Sequence, residues 1–306
     1  MVLIFSDELD IHAIVVKKRL EQLNQEVILL STKELTRSWS IIISENRCEI
    51  KFSDRVEDIN NFIGIWHRRH QTPKIRETVV DENYRKFAIK EIDNLLHSIT
   101  FYYKGNVINY PISDYEAASK AKQLKIANCC GMRVPKTLIT SDDKSVLNFF
   151  KYYDKVIFKP LTSPSFQFPD TRILNAETLF KFKNSISVAP TIYQEYVEGP
   201  YHLRVTVVDS IIHSAKIISN ESAAEIDWRL DPSIIISKYK IPKNLENRII
   251  RFMKLMNLRY GAFDFKKTTS GDFVFFEVNS GGQFLFVEIE TGQEISLAIA
   301  NALIRK

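Results

Sequence analysis

The stretch that decides the fold is residues 260–283, YGAFDFKKTTSGDFVFFEVNSGGQ. Its two apolar runs, residues 260–265 and 273–278, predict two strands. Thr269, Ser270 and Gly271 stand between these runs and predict the turn of a hairpin. The sequence therefore predicts an antiparallel hairpin close to the C-terminus.

Three side chains with oxygen ligands lie on this hairpin. Glu277 and Asn279 are two residues apart on one strand, so their side chains leave the same face, and pairing through the turn can bring Asp264 level with them. Buried acids need a cation or another partner, and Mg²⁺ binds one or two carboxylates together with phosphate oxygens and water. The alternative is a solvated sheet face that carries ordinary acids. Apolar neighbours on both strands argue against it: Phe263, Phe265, Val274, Phe276 and Val278.

The composition is that of an ordinary soluble protein with 306 residues, of which 26% are charged and 45% apolar. A chain of this length can form two or three lobes around separate cores. Its net charge of +5 is small for a nucleic-acid binder and suits a protein that handles phosphates or acidic peptides. No apolar run approaches the roughly 20 residues that span a bilayer, and the N-terminus has no signal-peptide pattern. The three cysteines suggest neither disulfides nor a zinc site, so we expect a cytoplasmic protein. The small net charge and the missing apolar span lead us to expect that it binds neither nucleic acid nor membrane.

The first part of the chain has the pattern of an α/β unit. Residues 2–5, 26–30 and 63–67 predict strands, and apolar residues with helical spacing lie between the first two. This alternation favours a parallel sheet. No Gly-x-Gly-x-x-Gly motif follows the first strand, so a dinucleotide site there is not expected.

Two helices and a second α/β lobe are predicted to follow. A long apolar stripe predicts a helix over residues 78–103. The next helix is predicted to begin at a capping box formed by Ser113 and Glu116 and to end at Gly131. The remaining predicted elements are strands at 137–140, 155–159 and 191–197, a helix at 146–152, a hairpin over 203–218, and helices at 245–256 and 295–304.

Several side chains of this second lobe indicate nucleotide chemistry. Lys159 ends a buried strand, where a lone cation must find an anion or shift its pKa, and Lys120 offers a second cation. A strand end can present backbone groups to an adenine edge and a carboxylate to a ribose, and such an end is occupied here by Gln194, Glu195, Tyr196 and Val197. Further charged side chains are Arg204, Lys216, Asp227 and Arg229. Phosphoryl transfer needs metals and cations of this kind. The chain lacks the P-loop and protein-kinase motifs, which excludes both of those classes.

The order of these residues resembles the ATP-grasp superfamily of carboxylate ligases. Within it the chain is similar to the graspetide synthetases, the peptide-modifying ligases of the microviridin and plesiocin type. The motifs that carry the resemblance are Trp66-His67-Arg68-Arg69 before Pro73, Lys120 with Gln123-Leu124, residues 134–140, Leu203-Arg204-Val205-Thr206, Asp227-Trp228-Arg229, Glu277-Val278-Asn279 and residues 281–288. The resemblance covers nearly the whole chain, and the last two motifs together are highly specific. His202 and Ser280 depart from the pattern of this group, which often has an acid and a proline there.

The resemblance implies an α/β architecture, the ATP-grasp fold, in three parts. These are an N-terminal pre-ATP-grasp α/β domain over residues 1–112, a central subdomain over 113–196 and a C-terminal subdomain with the metal site over 197–306. The implied activity uses ATP and two Mg²⁺ ions to phosphorylate Asp or Glu side chains of a ribosomal precursor peptide. Ser or Thr hydroxyls, or Lys amines, of the same peptide would then form macrolactones or macrolactams. The implied partners are that peptide, with a leader and an acidic core, and a second copy of the chain in a homodimer.

On this account Asp264, Glu277 and Asn279 hold Mg²⁺. Lys120 and Lys159 bind the ATP phosphates, and residues 194–197 bind the rest of the nucleotide. The expected catalytic residues are Arg204, Lys216, Asp227 and Arg229, since arginine can bind a phosphate or a carboxylate in bidentate fashion.

Arg68 and Arg69 are expected to contact the substrate peptide. They follow a buried strand at its C-terminal end, where open α/β sheets place their ligand crevices. The alternative is that one of them pairs with an acid of the long helix, such as Glu82 or Glu91, and only stabilises the first lobe.

Two other functions stay open. A ligase of the RimK type, which adds a free amino acid to a protein or small molecule, would share every residue of the nucleotide site. The peptide cyclase is favoured by the 66–69 motif and by residues 281–288. A catalytically silent ATP-binding regulator belongs to a different class, and the intact set of metal ligands and cations argues against it.

Overall fold

The computed structural model describes residues 1–162, 172–219, 228, 231 and 233–305. The strands in these ranges are β1 (Val2–Phe5), β2 (Val27–Leu30), β3 (Ser40–Ile43), β4 (Cys48–Lys51), β5 (Val56–Asp58), β6 (Gly64–His67), β7 (Asn106–Ile108), β8 (Thr137–Thr140), β9 (Val156–Lys159), β10 (Arg172–Leu174), β11 (Thr191–Glu195), β12 (Tyr201–Val208), β13 (Ile211–Ile218), β14 (Ile235–Lys238), β15 (Tyr260–Lys267) and β16 (Phe273–Asn279). The helices are α1 (Ile11–Gln22), α2 (Glu82–Tyr102), α3 (Pro111–Ala118), α4 (Lys120–Cys129), α5 (Asp143–Phe149), α6 (Ala176–Phe182), α7 (Lys243–Leu255), α8 (Leu285–Thr291) and α9 (Ile295–Ile304). Among the helices of the described ranges, none combines the length and the apolar character that a membrane crossing requires.

The first part of the chain forms a parallel sheet in the order β2-β1-β6-β7, with a small antiparallel sheet of β3, β4 and β5 beside it. The parallel pairing that the sequence predicted is confirmed: Phe5 lies level with Leu30 on one side and with His67 on the other. Strands β1 and β6 therefore end at the same edge of the sheet. Arg68 and Arg69 follow β6 directly at that edge.

The predicted single helix over residues 113–131 is wrong, because the chain forms α3 and α4 with a break at Ser119. Pro111 starts α3, so Ser113 lies inside that helix and does not cap it. Ser119 has extended backbone angles, and its side chain accepts a hydrogen bond from the backbone N–H of Lys122. A serine that caps a new helix competes with continuation of the old one. The break places Lys120 in the first turn of α4.

The central sheet is antiparallel, in the order β10-β9-β11-β8. Lys159 at the end of β9 lies level with Ile192 of β11, and Thr137 of β8 lies level with Gln194. The sheet packs over a small core that contains Val146, Leu179 and Tyr193. Strand β11 ends at Glu195, two residues earlier than predicted.

The C-terminal sheet has the order β14-β13-β12-β15-β16 and contains the predicted hairpin as β15 and β16. One face packs against α7 through a core with Phe252, Phe263 and Phe275. The other face packs against α8, α9 and α1 in a second core, which includes Tyr260 and Phe284. Helix α8 was not predicted, because its short apolar stretch follows two glycines.

The hairpin contains a β-bulge. Asp264 pairs with Glu277, but its neighbour Phe265 pairs with Phe275, so Phe276 has no partner on β15. Phe275 is buried in the core, whereas Phe276 lines a cavity. The bulge thus gives the two neighbouring phenylalanines different surroundings, one in the core and one, half-buried, at the cavity wall.

Candidate active site

A cavity of about 730 Å³ lies between the central sheet, the C-terminal sheet and the helices α3 and α4. The walls come from strand ends and from the loop after β16, so distant parts of the chain meet here. Predicted site residues that line it are Arg69, Lys120, Lys159, Gln194, Glu195, Tyr196, Val197, Arg204, Asp264, Glu277 and Asn279. The structure thus brings together the residues that the sequence assigns to nucleotide, metal and peptide, and their individual roles stay predictions.

The two acids of the hairpin lie level with each other, as the sequence predicted. Asp264 and Glu277 are register partners in the antiparallel pair β15–β16, and such partners leave the same face. Asn279 lies two residues further on and donates from Nδ2 to Glu277 Oε1 across 3.2 Å. The three side chains form one polar group at the floor of the cavity.

Each acid of this group is bound by a cation. Lys120 Nζ donates to Glu277 Oε2 across 2.5 Å. Arg204 Nη1 donates to both carboxylate oxygens of Asp264, at 3.0 and 2.8 Å. Arg204 lies on β12 directly opposite Asp264, which explains the short contact. The carboxylates and cations therefore neutralise one another within the cavity.

The pKa values show how strongly these charges interact. Burial raises the pKa of Glu277, but the Lys120 and Lys159 ammoniums and hydrogen bonds from Lys120 and Asn279 outweigh it and lower that pKa to about 2. Burial lowers the pKa of Lys159, and the positive charge of Lys120 lowers it further, while Glu277 and Asp264 act in the opposite direction. Lys120, Lys159 and Arg204 thus lie near the two acids in one cavity, where added phosphate charge would be favourable.

The donor set fits Mg²⁺. Within the described ranges no group of at least three His, Cys, Asp or Glu side chains is placed to hold a metal ion. The hairpin offers two carboxylates and one amide, which suits an ion that takes few protein ligands and completes its octahedron with phosphate oxygens and water. Such a set would suit zinc poorly, since structural zinc sites use cysteine and histidine.

The end of β11 forms another wall. Gln194 is buried and donates from Nε2 to Thr137 Oγ1 across 2.9 Å. The backbone of Glu195 and Tyr196 donates to the carbonyls of Lys136 and Lys155, so two strands hold this segment in place. Val197 is also buried. A strand end held in this way presents a fixed edge to the cavity.

The loop after β16, residues 280–283, forms a further wall of the cavity. Its backbone carbonyls are bound by side chains from other elements: Ser280 O by Asn109, Gly281 O by Arg68, Gly282 O by Arg68 and Tyr260, and Gln283 O by Arg204. We call these four donors, Arg68, Asn109, Arg204 and Tyr260, the carbonyl clamp. The clamp directs the carbonyls of this loop into the protein.

The two adjacent arginines have different positions. Arg68 is 3% exposed, and its Nε lies 3.3 Å from Asp10 Oδ2. The predicted contact of Arg68 with the substrate peptide is therefore wrong, because this side chain is buried inside the protein. The alternative partner on α2 is wrong as well, since the acid is Asp10 and not Glu82 or Glu91. Arg69 is exposed and lines the cavity, where it can meet a ligand.

Lys216, one of the predicted catalytic residues, does not line the cavity. Lys216 pairs with Leu203, whose side chain lies in the core on the other face of the sheet, and the Lys216 ammonium lies 4.4 Å from the centre of the Tyr201 ring. Strand alternation thus separates Lys216 from Arg204. Asp227 and Arg229 lie outside the described residues. Trp228 between them is described and lines the cavity, with its ring 5.2 Å from that of Phe286.

The sequence analysis missed Asp114 and Asn109. Asp114 lies in the first turn of α3, lines the cavity and accepts from Asn109 Nδ2 across 3.1 Å. Burial raises the pKa of Asp114 to about 6, although hydrogen bonds with Ser280 and Asn109 favour its charged form. Asn109 and Asp114 lie close together in the sequence, on either side of Pro111. This spacing does not indicate a contact with residues beyond 250.

A scan against protein-family models finds no match, and a search of curated proteins finds no relative. Solved structures do match over the full length. The macrocyclase MdnC bound with the precursor peptide MdnA, from Microcystis aeruginosa, has a TM-score of 0.89 at 23% identity, over 100% of this chain and 99% of its own. A RiPP-associated ATP-grasp ligase from Chryseobacterium gregarium, in complex with ADP and a leader and core peptide, has a TM-score of 0.89 at 22% identity, over 99% and 96%.

The ATP-grasp ligase PsnB, complexed with minimal precursor, Mg and ADP, has a TM-score of 0.84 at 22% identity, over 99% of this chain and 96% of its own. These likenesses show that the chain has the ATP-grasp fold from end to end. The predicted α/β fold is confirmed.

Proposed function

We propose that the protein is an ATP- and Mg²⁺-dependent ligase that crosslinks side chains of a ribosomal precursor peptide. One observation carries the proposal. Lys120 and Lys159 meet Asp264, Glu277 and Asn279 in one cavity of an ATP-grasp fold. Solved structures of the same fold are described as complexes with ADP, Mg and precursor peptides.

The reaction follows from the chemistry of carboxylates, which are poor electrophiles in water. ATP would phosphorylate an Asp or Glu side chain of the peptide, and the resulting acyl phosphate would supply a leaving group. A Ser or Thr hydroxyl, or a Lys amine, of the same peptide would then displace phosphate. The products are macrolactones or macrolactams, ADP and phosphate. No covalent intermediate with a side chain of the enzyme is required.

The residues of the cavity provide the electrostatic part of this chemistry. Lys120 and Lys159 would bind the ATP phosphates, and Arg204 would take up charge that develops during transfer. The strand end at residues 194–197 would bind the adenosine portion, with Phe276 as an apolar wall. Asp264, Glu277 and Asn279 would hold Mg²⁺, which supplies charge neutralisation and alignment of phosphate oxygens when bound.

The substrate is proposed to be an acidic peptide with a leader and a core. Arg69 is an exposed cation on the cavity wall, and the chain carries a net charge of +5. An arginine can bind a carboxylate through two parallel hydrogen bonds and so orient the group to be activated. A leader segment would raise both affinity and turnover if it orders a partly open site.

We also propose a homodimer in the cytoplasm. The dimer rests on the resemblance to the graspetide synthetases. The compartment is supported by the free cysteines, of which Cys129 is exposed, since a reducing environment keeps such thiols unpaired.

The function is tested with a short peptide encoded beside this gene, with its leader, incubated with ATP and Mg²⁺. The expected result is release of ADP together with loss of one water from the peptide for each new bond, measured by mass spectrometry. The same peptide without its leader should react more slowly. Addition of free amino acids to the peptide would instead establish the RimK-type reaction. Binding of ATP with no ADP release on any acidic peptide would contradict the proposal and favour a regulator.

A further inference from the structure

The carbonyl clamp joins the parallel sheet of the first part of the chain to the C-terminal sheet. Arg68 follows β6 and Asn109 follows β7, whereas Arg204 lies on β12 and Tyr260 on β15. The segment that these side chains hold, residues 280–283, comes directly after Asn279. A loop beside the proposed metal ligands is therefore fixed from two separate sheets.

Arg68 is a buried donor of the clamp that contacts both sides of this junction. Its Nη1 donates to Gly281 O and, across 3.4 Å, to Gly282 O, while its Nε faces Asp10 Oδ2 at 3.3 Å. Asp10 is itself held, because it caps α1 by accepting from the backbone N–H of His12 and also accepts from Ser6 Oγ. One buried guanidinium thus connects the start of α1 to the loop after β16.

The loop has almost no freedom to compensate for loss of this contact. The backbone N–H of Gly282 donates to Asn279 O across 3.2 Å, which closes a turn on the proposed metal ligand. A Cβ at Gly282 would lie 2.6 Å from Ala262 Cβ and 2.8 Å from Arg204 Nη2, so the backbone is packed tightly against both. A shift of Gly281 or Gly282 must therefore move Asn279.

We propose that Arg68 is a positioning residue for the metal side of the cavity, acting through the carbonyls of Gly281 and Gly282 on Asn279. The two adjacent arginines would then have separate tasks, with Arg68 fixing the loop and Arg69 meeting substrate. This inference rests on the proposed function, because it assigns Arg68 to the site that holds Mg²⁺ with the nucleotide. It makes the first sheet part of the nucleotide site.

The test is the affinity for ADP, measured by calorimetry with Mg²⁺ and with EDTA. The ratio of the two affinities reports how well the protein holds the metal. Arg68→Ala should reduce this ratio by about tenfold, the loss expected when a buried hydrogen-bonded group is left without its partner. Arg68→Lys keeps the charge and can reach one carbonyl, so it should recover part of the ratio. Affinity in EDTA should stay within about threefold of wild type for both variants.

Arg259→Ala is the matched control. Arg259 also binds an acid and a carbonyl, with Nε 2.7 Å from Asp209 Oδ1 and Nη2 2.9 Å from Ala302 O, but it does not line the cavity. This variant should melt at a lower temperature and keep the wild-type ratio. A purely structural Arg68 would behave in the same way.

If Arg68→Ala does not fold, Tyr260→Phe provides a second test of how this loop is held. It removes only the hydroxyl that donates to Gly282 O across 2.8 Å and leaves the buried ring in place. The ratio should fall by about threefold. Wild-type ratios in both Arg68→Lys and Tyr260→Phe would overturn the inference while leaving the proposed function intact. A wild-type protein whose ADP affinity is indifferent to Mg²⁺ would refute the function and the inference together.

Discussion

Lys120 binds Glu277 directly, with 2.5 Å between Nζ and Oε2, so a cation expected to bind phosphate neutralises an acid expected to bind metal. If Lys120 binds phosphate and Glu277 binds the metal, binding of nucleotide and metal together replaces this ion pair. Nucleotide alone would leave Glu277 without its strongest partner, and metal alone would place positive charge beside Lys120 and Lys159. We expect Mg²⁺ and nucleotide to bind with positive coupling.

Glu277→Gln tests this exchange. The variant should bind ADP in EDTA at least as tightly as wild type, because Lys120 is released from its acid. It should bind ADP with Mg²⁺ more weakly, by about tenfold or more, because a metal ligand is lost, and peptide-dependent ADP release should be abolished. Calorimetry under both conditions measures the two effects. Weaker binding in EDTA as well, or normal turnover, would show that Glu277 has another role.

Lys120→Ala and Lys159→Ala should each weaken ADP binding by about 1.5–3 kcal/mol, the range for a lost hydrogen bond to a charged group. Lys122→Ala is the control, since Lys122 lies on the same helix and pairs with Glu116 outside the cavity. Titration calorimetry with Mg²⁺ present compares the three variants. Equal ADP affinity in all of them would place both lysines on an ordinary polar surface.

Asp114→Asn should change how stability depends on pH. Burial raises the pKa of Asp114 to about 6 from an ordinary value of 3.8, so the folded protein takes up this proton more readily than the unfolded chain. Stability from this group is fully present below the ordinary pKa and is lost as the pH rises through 6. One pKa unit corresponds to about 1.4 kcal/mol, and partial exposure of the side chain reduces the whole effect to about 1–2 kcal/mol.

The unfolding free energy of Asp114→Asn, relative to wild type, should therefore increase between about pH 4.5 and about pH 7.5. Urea unfolding at both pH values provides the measurement. Asp272→Asn removes an exposed acid that pairs with Arg133 and controls for the loss of charge. A difference that is the same at both pH values would mean that Asp114 titrates alike in the folded and unfolded protein.

Arg69→Ala should raise the Michaelis constant for the precursor peptide or stop cyclisation, because the carboxylate to be activated loses its cation. ADP affinity and melting temperature should stay close to wild type, since Arg69 is exposed. Steady-state kinetics with varied peptide separate these effects. A lower melting temperature with normal cyclisation would show that Arg69 only stabilises the first sheet.

The sequence could predict elements whose residues repeat with a clear period. The hairpin of β15 and β16 is the best example, because its apolar alternation and its turn together set Asp264 level with Glu277. The helix α9 and the strand β8 were placed with the observed bounds for the same reason. A local sequence pattern is sufficient to predict an element when the contacts that define the element lie within the same short segment.

Contacts between distant segments could not be predicted. Nothing around Arg68 indicates that its guanidinium reaches Gly281, which is more than 200 residues away. The break at Ser119 is accompanied by a side-chain cap of α4, and the continuous apolar pattern of residues 113–131 does not indicate it. Charge alone groups Lys216 with Arg204, although the pairing of β12 with β13 places their side chains on opposite faces of the sheet.

Phe276, which has no partner on β15, divides β16 into two segments that pair with β15 in different registers. Residues 273–275 pair with residues 265–267 of β15, while residues 277–279 pair with residues 262–264. Removal of Phe276 would let Glu277 follow Phe275 directly, with every existing cross-strand partner retained. The chain can therefore change length by one residue at this point and lose an aromatic side chain from the cavity without displacing either carboxylate.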